Sequence, residues 1–233
     1  MEWTIFLWLL GILLAIVILL VQRRHNSEHE DISLLESTTA LYRGTAAERD
    51  LVLKLLKGGM SSSMIFHDLY LRKRNGGYSQ IDLVAVTTVG IIVFEVKDYS
   101  GWIFGKGYQP YWTQVLAHGK EKYRFYNPVM QNNGHIEALR QRLNIFVNIP
   151  FYSVIVFYGN CVLRNVSAIP TGTFLVKSWE VNRIIEHILE NNTPLVYPNK
   201  TDIMGILYDA VKNGDRSDIR AEHIRSIHQL IGS

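Results

Sequence analysis

The 233-residue chain holds one cysteine, Cys161. No intramolecular disulfide can therefore form and no four-cysteine zinc ribbon can be built, and a chain without disulfides suits a reducing compartment. Cys161 follows an apolar, strand-like run and reads as a buried structural thiol rather than a nucleophile. The Gly-x4-Gly-Lys-Ser/Thr pattern that cradles nucleoside triphosphates is absent. So is a strong charge of either sign: 24 Lys and Arg stand against 21 Asp and Glu, a net +3 that permits a polyanionic partner without announcing one. Apart from Ser61-Ser62-Ser63 there is no low-complexity tract, and no internal repeat is evident. Apolar residues at 48% and charged residues at 19% exclude a disordered or collagen-like chain.

What is present is unevenly distributed. Of the first 21 residues, 18 are hydrophobic, the exceptions being Glu2, Thr4 and Gly11. The stretch 3–21 has no charge, and at ~1.5 Å per residue it spans about 28 Å, the hydrocarbon thickness of a bilayer. It is expected to be a single transmembrane anchor. A cleaved signal peptide is the competing reading, but the run is long, its start carries Glu2 without Lys or Arg, and no small-x-small site follows Val21. Arg23 and Arg24 follow directly, so the positive-inside bias predicts a cell-membrane protein with a cytoplasmic soluble part.

Residues 22–41 are polar and read as a juxtamembrane linker or a short surface helix. In that stretch His25 and His29 have helical spacing and read as solvated. The body follows as one domain: a helix over 46–57 ending at Gly58-Gly59, a strand over 64–71, a basic turn at Arg72, Lys73 and Arg74, and a hairpin of two apolar runs, 80–87 and 91–97. The aromatic stretch 100–116 reads as further β structure or a looped excursion. Asn127-Pro128 predicts a capped helix to about Val147, then strands over 151–158 and 173–177 and helices over 179–190, 201–212 and 218–230. This order predicts an α/β fold with a mixed central sheet covered by helices.

One place in that sheet is chemically expensive. Glu95 and Lys97 lie two apart on a strand and share a face. If the hairpin turns between Thr88 and Val89, Asp82 falls opposite Glu95, with directly paired Cβ atoms about 4.5 to 5.5 Å apart. Two carboxylates so close repel unless a proton or cation lies between them, and oxygen ligands suit Mg²⁺ or Mn²⁺ better than zinc. An isolated Glu-x-Lys would be read as an ion pair. Here the flanking strands and the register add weight.

The residues Gly44-x-x-x-Glu48, His67-Asp68-Leu69, Gln80-Ile81-Asp82, Glu95-Val96-Lys97-Asp98-Tyr99-x-Gly101, Trp112 and Asn127-Pro128-x-x-Gln131-Asn132-x-x-His135 together resemble the nuclease-related domain (NERD) pattern over about Arg43 to Leu143. The resemblance implies a PD-(D/E)xK, restriction-endonuclease-like fold over residues 42–160, with 161–233 completing or flanking it. It further implies that Glu48, Asp82 and Glu95 are the acidic, metal-binding cluster, that Lys97 is the catalytic lysine, and that Gln131 touches the scissile phosphate, water or Lys97. Mg²⁺ or Mn²⁺ is the implied cofactor. His135, one turn after Gln131, is a weak candidate for proton transfer or phosphate binding, with helix packing the plainer role. Gln80 shares the strand face of Asp82 and is expected to orient it. Arg72, Lys73 and Arg74 are weak phosphate-binding candidates that also read as a solvated loop. The resulting expectation is a membrane-anchored, metal-dependent nuclease acting on DNA or RNA. A non-catalytic, membrane-tethered module binding nucleic acid or protein is the alternative.

Overall fold

In a computed structural model, residues 2–74, 76–116, 119–143, 148–197 and 200–231 are described, without the side chains of 2–7, 9, 10, 12 and 228–231. The chain opens with helix α1 (Glu2–Glu36), which continues unbroken from the apolar run through the polar stretch read as a linker. Among the described residues no helix is long and apolar enough to cross a membrane. Much of the expected anchor, 3–21, lies outside the described side chains, and every described side chain from Leu13 to Val21 is exposed. The polar end of α1 belongs to the fold. Leu35 is buried with the leucines of the next helix, and Lys57 reaches back to Asp31 at 2.6 Å.

Helix α2 (Ala46–Lys57) buries Leu51, Val52 and Leu55. Strands β1 (Ile65–Arg72), β2 (Tyr78–Val86) and β3 (Ile91–Asp98) form an antiparallel meander. Strands β4 (Gly101–Lys106), β5 (Tyr111–Leu116) and β6 (Glu121–Tyr126) follow, then helix α3 (Pro128–Arg142). Strand β7 (Phe151–Tyr158) returns parallel to β3. It is followed by β8 (Cys161–Ser167), β9 (Thr173–Lys177) and helices α4 (Val181–Glu190), α5 (Lys200–Asn213) and α6 (Ser217–Ile231). The main sheet is mixed, in the order β1-β2-β3-β7-β9, and a second sheet runs β6-β5-β4-β8. Strand β9 lies past residue 160 yet completes the main sheet.

The helices cover both faces. One core holds the α2 leucines with Leu83, Phe94, Val156 and α4 residues Val181, Ile185 and Ile188. The other holds Phe66, Val84 and Val93 with Ile136 and Leu139 of α3 and Ile203 and Leu207 of α5. Each fully buried side chain of this size contributes about 1.5–3 kcal/mol, so the two cores fix the sheet between its helices. Trp112 stacks on Phe157 and ties the second sheet to the first through a third core. Cys161 is buried there, as expected.

Two local expectations are corrected. Strands β6 and β8 were not anticipated, because β6 is exposed on nearly every residue and β8 on four of its seven, without clean alternation. Helix α3 ends at Arg142, short of Val147, with Leu143 as its C-cap; 144–147 lie outside the described residues. Of the two readings of 100–116, β structure is the one found, as β4 and β5.

Candidate active site

The hairpin register is the expected one over Leu83↔Phe94 to Val86↔Ile91, and then the ladder stops. Asp82 is not paired backbone to backbone with Glu95. Its Oδ2 accepts the Val96 N–H at 2.8 Å instead. The cause is a break in alternation: Ile81 and Val84 face one core and Leu83 the other. In the neighbouring strand Asp68, opposite this point, takes a left-handed φ of 53°. Two residues of chain are thus turned out of the regular pleat where the acidic side chains gather.

On β3 the pleat is regular. Val93 faces the α3 core, and Glu95 and Lys97 continue that face. Lys97 Nζ lies 2.5 Å from Glu95 Oε1 and donates to Gln131 Oε1 at 3.1 Å. One turn along α3, His135 Nε2 stands 3.3 Å from Glu95 Oε2, and its Nδ1 is 2.9 Å from Ser79 Oγ. Helix α3 is set by Asn127, whose side chain caps Val129 N–H and donates to the carbonyls of Lys106, Gly107 and Gln109. Asn132 adds a tie to Val93 O, so the helix holds Gln131 and His135 against β3.

Glu48 comes from the opposite side. It is the third residue of α2, where the Thr45 Oγ1 accepts the Glu48 N–H and donates to Glu48 Oε1. This turns the carboxylate back toward the helix start. Its Oε2 faces His67 Nε2 at 3.4 Å, and His67 Nδ1 is 2.7 Å from Thr39 Oγ1. Gly44, at φ 58°, packs so closely that a Cβ there would fall 2.4 Å from Glu48 Oε2 and 2.6 Å from His67 Nε2. Two Glu–His couples therefore flank Asp82, one from each side of the sheet. In both, the facing oxygen and nitrogen are buried without a well-formed hydrogen bond.

The electrostatics follow from this crowding. Burial, then the charges of Glu95 and Glu48, push Asp82 well above the usual carboxylate range, and Val96 N–H and Lys97 restore only part of it. Burial disfavours the Lys97 ammonium, but attraction and hydrogen bonding to Glu95, with Asp82, outweigh it and raise its pKa. Burial also opposes ionisation of Glu48, and His67 and Thr45 reverse it, so its pKa is lowered.

Of the candidates, Asp82, Glu95, Lys97, Gln131 and His135 are brought together, and Glu48 approaches from the α2 side. Gln80 does not orient Asp82: the break in alternation separates them, and its amide donates to Asp68 Oδ1 at 3.0 Å. Arg72, Lys73 and Arg74 are exposed, and Arg72 pairs with Tyr78, about 13 Å along the strand from Asp82 at ~3.3 Å per residue. Sequence reasoning assigned no role to His67, Thr39 or Ser79. A signal existed for His67, a histidine inside an apolar strand. No local pattern links it to Thr39.

Residues 43–158 match the nuclease-related domain family. The matched segment runs from Arg43 through β7 and takes in every residue of the site except Thr39. An uncharacterized protein of Bacillus anthracis is 24% identical over 197 residues, covering 84% of this chain and 89% of its own length. No solved structure matches the chain significantly.

Proposed function

We propose that the chain is a membrane-anchored, divalent-metal-dependent nuclease with a restriction-endonuclease-like core, hydrolysing phosphodiester bonds of DNA or RNA at the cytoplasmic face. The observation that carries this reading is Asp82 held between Glu95 and Glu48, with Lys97 and Gln131 beside it. A buried carboxyl that resists ionisation beside two other carboxylates is the charge pattern that a cation relieves. Buried, unpartnered Oε2 atoms on Glu48 and Glu95 fit the same group. Among the described residues no three His, Cys, Asp or Glu side chains converge into a ready-made cage. Mg²⁺ fits such a site, because it is commonly held by one or two carboxylates plus water and substrate phosphate.

Asp82 and Glu95 would hold the ion, with Glu48 supporting them. When bound, it supplies polarisation of a phosphate oxygen and a lowered pKa for a bound water. Lys97, kept cationic by Glu95, offsets charge that builds on the phosphoryl oxygens. Gln131 spends its Oε1 on Lys97, which leaves its two N–H donors for a phosphate oxygen or the attacking water. The exposed apolar side chains from Leu13 to Val21 support the anchor, since a soluble chain rarely leaves so long an apolar stretch uncovered.

The full chain, purified in detergent, is expected to nick or degrade DNA with Mg²⁺ or Mn²⁺. Glu95→Ala and Lys97→Ala are each expected to lower the rate at least about a hundredfold. Equal rates in wild type and both variants would mean a contaminating nuclease and end the assignment. Absence of cleavage on every nucleic acid, beside intact binding, selects the non-catalytic binding module.

A further inference from the structure

The second sheet has one face that neither core explains. Ile103, Trp112, Phe125 and Leu163 point inward to the third core, so the alternate residues point out. Register places Trp102 opposite Val115, Val115 opposite Lys122, and Tyr111 opposite Tyr126 on that outer side. Arg124 lies over the Tyr111 ring at 4.7 Å, and Arg164, the extra residue at a bulge in β8, lies over Trp102 at 4.8 Å. Tyr111 and Tyr126 are half exposed and sit edge to face. Among the described residues of the four strands the one acid, Glu121, has inward parity, opposite Leu116, and is engaged by the Tyr123 hydroxyl. The outer face is aromatic and cationic, without a carboxylate.

We infer that this face, carried by Trp102, Tyr111, Lys122, Arg124, Tyr126 and Arg164, is a platform for a single-stranded nucleic acid that feeds the candidate active site. Charge complementarity selects an anionic partner, and the half-exposed rings of Tyr111 and Tyr126, with the partly buried Trp102 ring and two guanidinium groups beside them, select one with planar bases to stack. Bases inside a duplex are already stacked on one another, so the rings select unpaired strands. Position adds a third argument. The platform is inserted between Lys97 and Gln131: β4 begins four residues after the first, and β6 ends five before the second. A strand lying on it stays tethered by the fold to the residues that would act on its phosphates. The choice of ligand rests on the nuclease reading, whereas the composition of the face does not.

The test uses the full wild-type chain in detergent with EDTA, which stops metal-dependent cleavage, and a fluorescein-labelled oligothymidylate followed by anisotropy. Tyr111→Ala with Tyr126→Ala is expected to weaken binding at least about tenfold, while leaving binding of heparin, a polyanion without bases, unchanged. Arg124→Gln with Arg164→Gln, a purely surface pair, is expected to lower the slope of log affinity against log salt by about 1.4, or ~0.7 per lost phosphate contact. A duplex of equal length is expected to bind more weakly than the single strand. Unchanged oligonucleotide affinity in both double variants overturns the platform, as does equal weakening toward heparin in the tyrosine pair. If those variants instead lose a preference for phosphatidylserine over phosphatidylcholine nanodiscs, the face is a lipid-headgroup surface. Hydrolysis of bis(p-nitrophenyl) phosphate with Mn²⁺ examines the catalytic reading separately: its absence, beside the expected oligonucleotide results, removes the nuclease and keeps the platform.

Discussion

Protonation relieves Asp82 of the cost of a buried charge and of repulsion from Glu95 and Glu48, and this gives the metal-free protein a pH dependence of known sign. A carboxyl whose folded pKa lies above its unfolded value of about 3.9 binds more protons in the folded state across that interval. Its stabilisation is complete below the unfolded value and is lost as pH rises through the folded one. Glu48 works oppositely: its lowered pKa contributes stability above the unfolded value that disappears as pH falls through the folded one. Asp82→Asn keeps an acceptor for Val96 N–H but cannot ionise. In EDTA it is therefore expected to melt higher than wild type at pH 8, with the difference shrinking toward pH 4. A lower melting temperature at pH 8 would show that crowding by the other carboxylates does not govern Asp82. Gly44 tests the other half of the site. At φ 58° with no room for a Cβ, Gly44→Ala displaces the Glu48–His67 couple and is expected to cost about 1–3 kcal/mol, read as a lower urea midpoint. An unchanged midpoint counts against close packing there.

Elements decide how accurately such side chains are presented, and α3 depends on one residue. Asn127 both caps the helix and donates its two amide hydrogens to the Gly107 and Gln109 carbonyls of the β4–β5 connection, with a longer contact to Lys106 O. Asn127→Ala is expected to cost ~2–4 kcal/mol. Asn127→Asp retains the cap but cannot donate, so it is expected to lose most of the same stability in chemical denaturation. A neutral Asp variant would assign the whole effect to capping. The cap was legible in the sequence because Asn-Pro is a local signal, and so were α2 and β7, whose apolar spacing reports their buried faces directly. The hairpin register was legible over four pairs. Its last step was not, since the break at Asp82 arises jointly from β2 and the left-handed Asp68 of β1, and no single strand encodes it. Strand β6 escaped notice because its pairing comes from β5 while its side chains face solvent, so burial left no periodic trace. The histidine at 135 was visible as a helical neighbour of Gln131, whereas its approach to Glu95 needed the packing of α3 on β3.

At the scale of the whole molecule, α1 joins the proposed anchor to the folded body as one continuous helix. Residues 22–36 continue the helix for about 22 Å at ~1.5 Å per residue, and at their end Leu35 enters the core while Asp31 pairs with Lys57. The stretch expected as a linker is therefore partly a piece of the folded body. This separates two truncations that a flexible tether would make equivalent. Deleting 2–21 removes only the proposed anchor: the chain is expected to move from the membrane pellet, where wild type resists alkaline carbonate, to the soluble fraction, with its melting temperature unchanged. Deleting 2–36 is expected to give the same redistribution but also to cost about 1.5–3 kcal/mol from the lost burial of Leu35. Wild type released by carbonate would end the anchor reading. Equal melting temperatures for the two truncations would return 22–36 to the status of a linker and free the domain to reach farther from the bilayer. In the proposed reading, a helix held by the bilayer at one end and by the core at the other fixes the candidate site at a set height, so that a nucleic acid would have to come to the membrane to be bound.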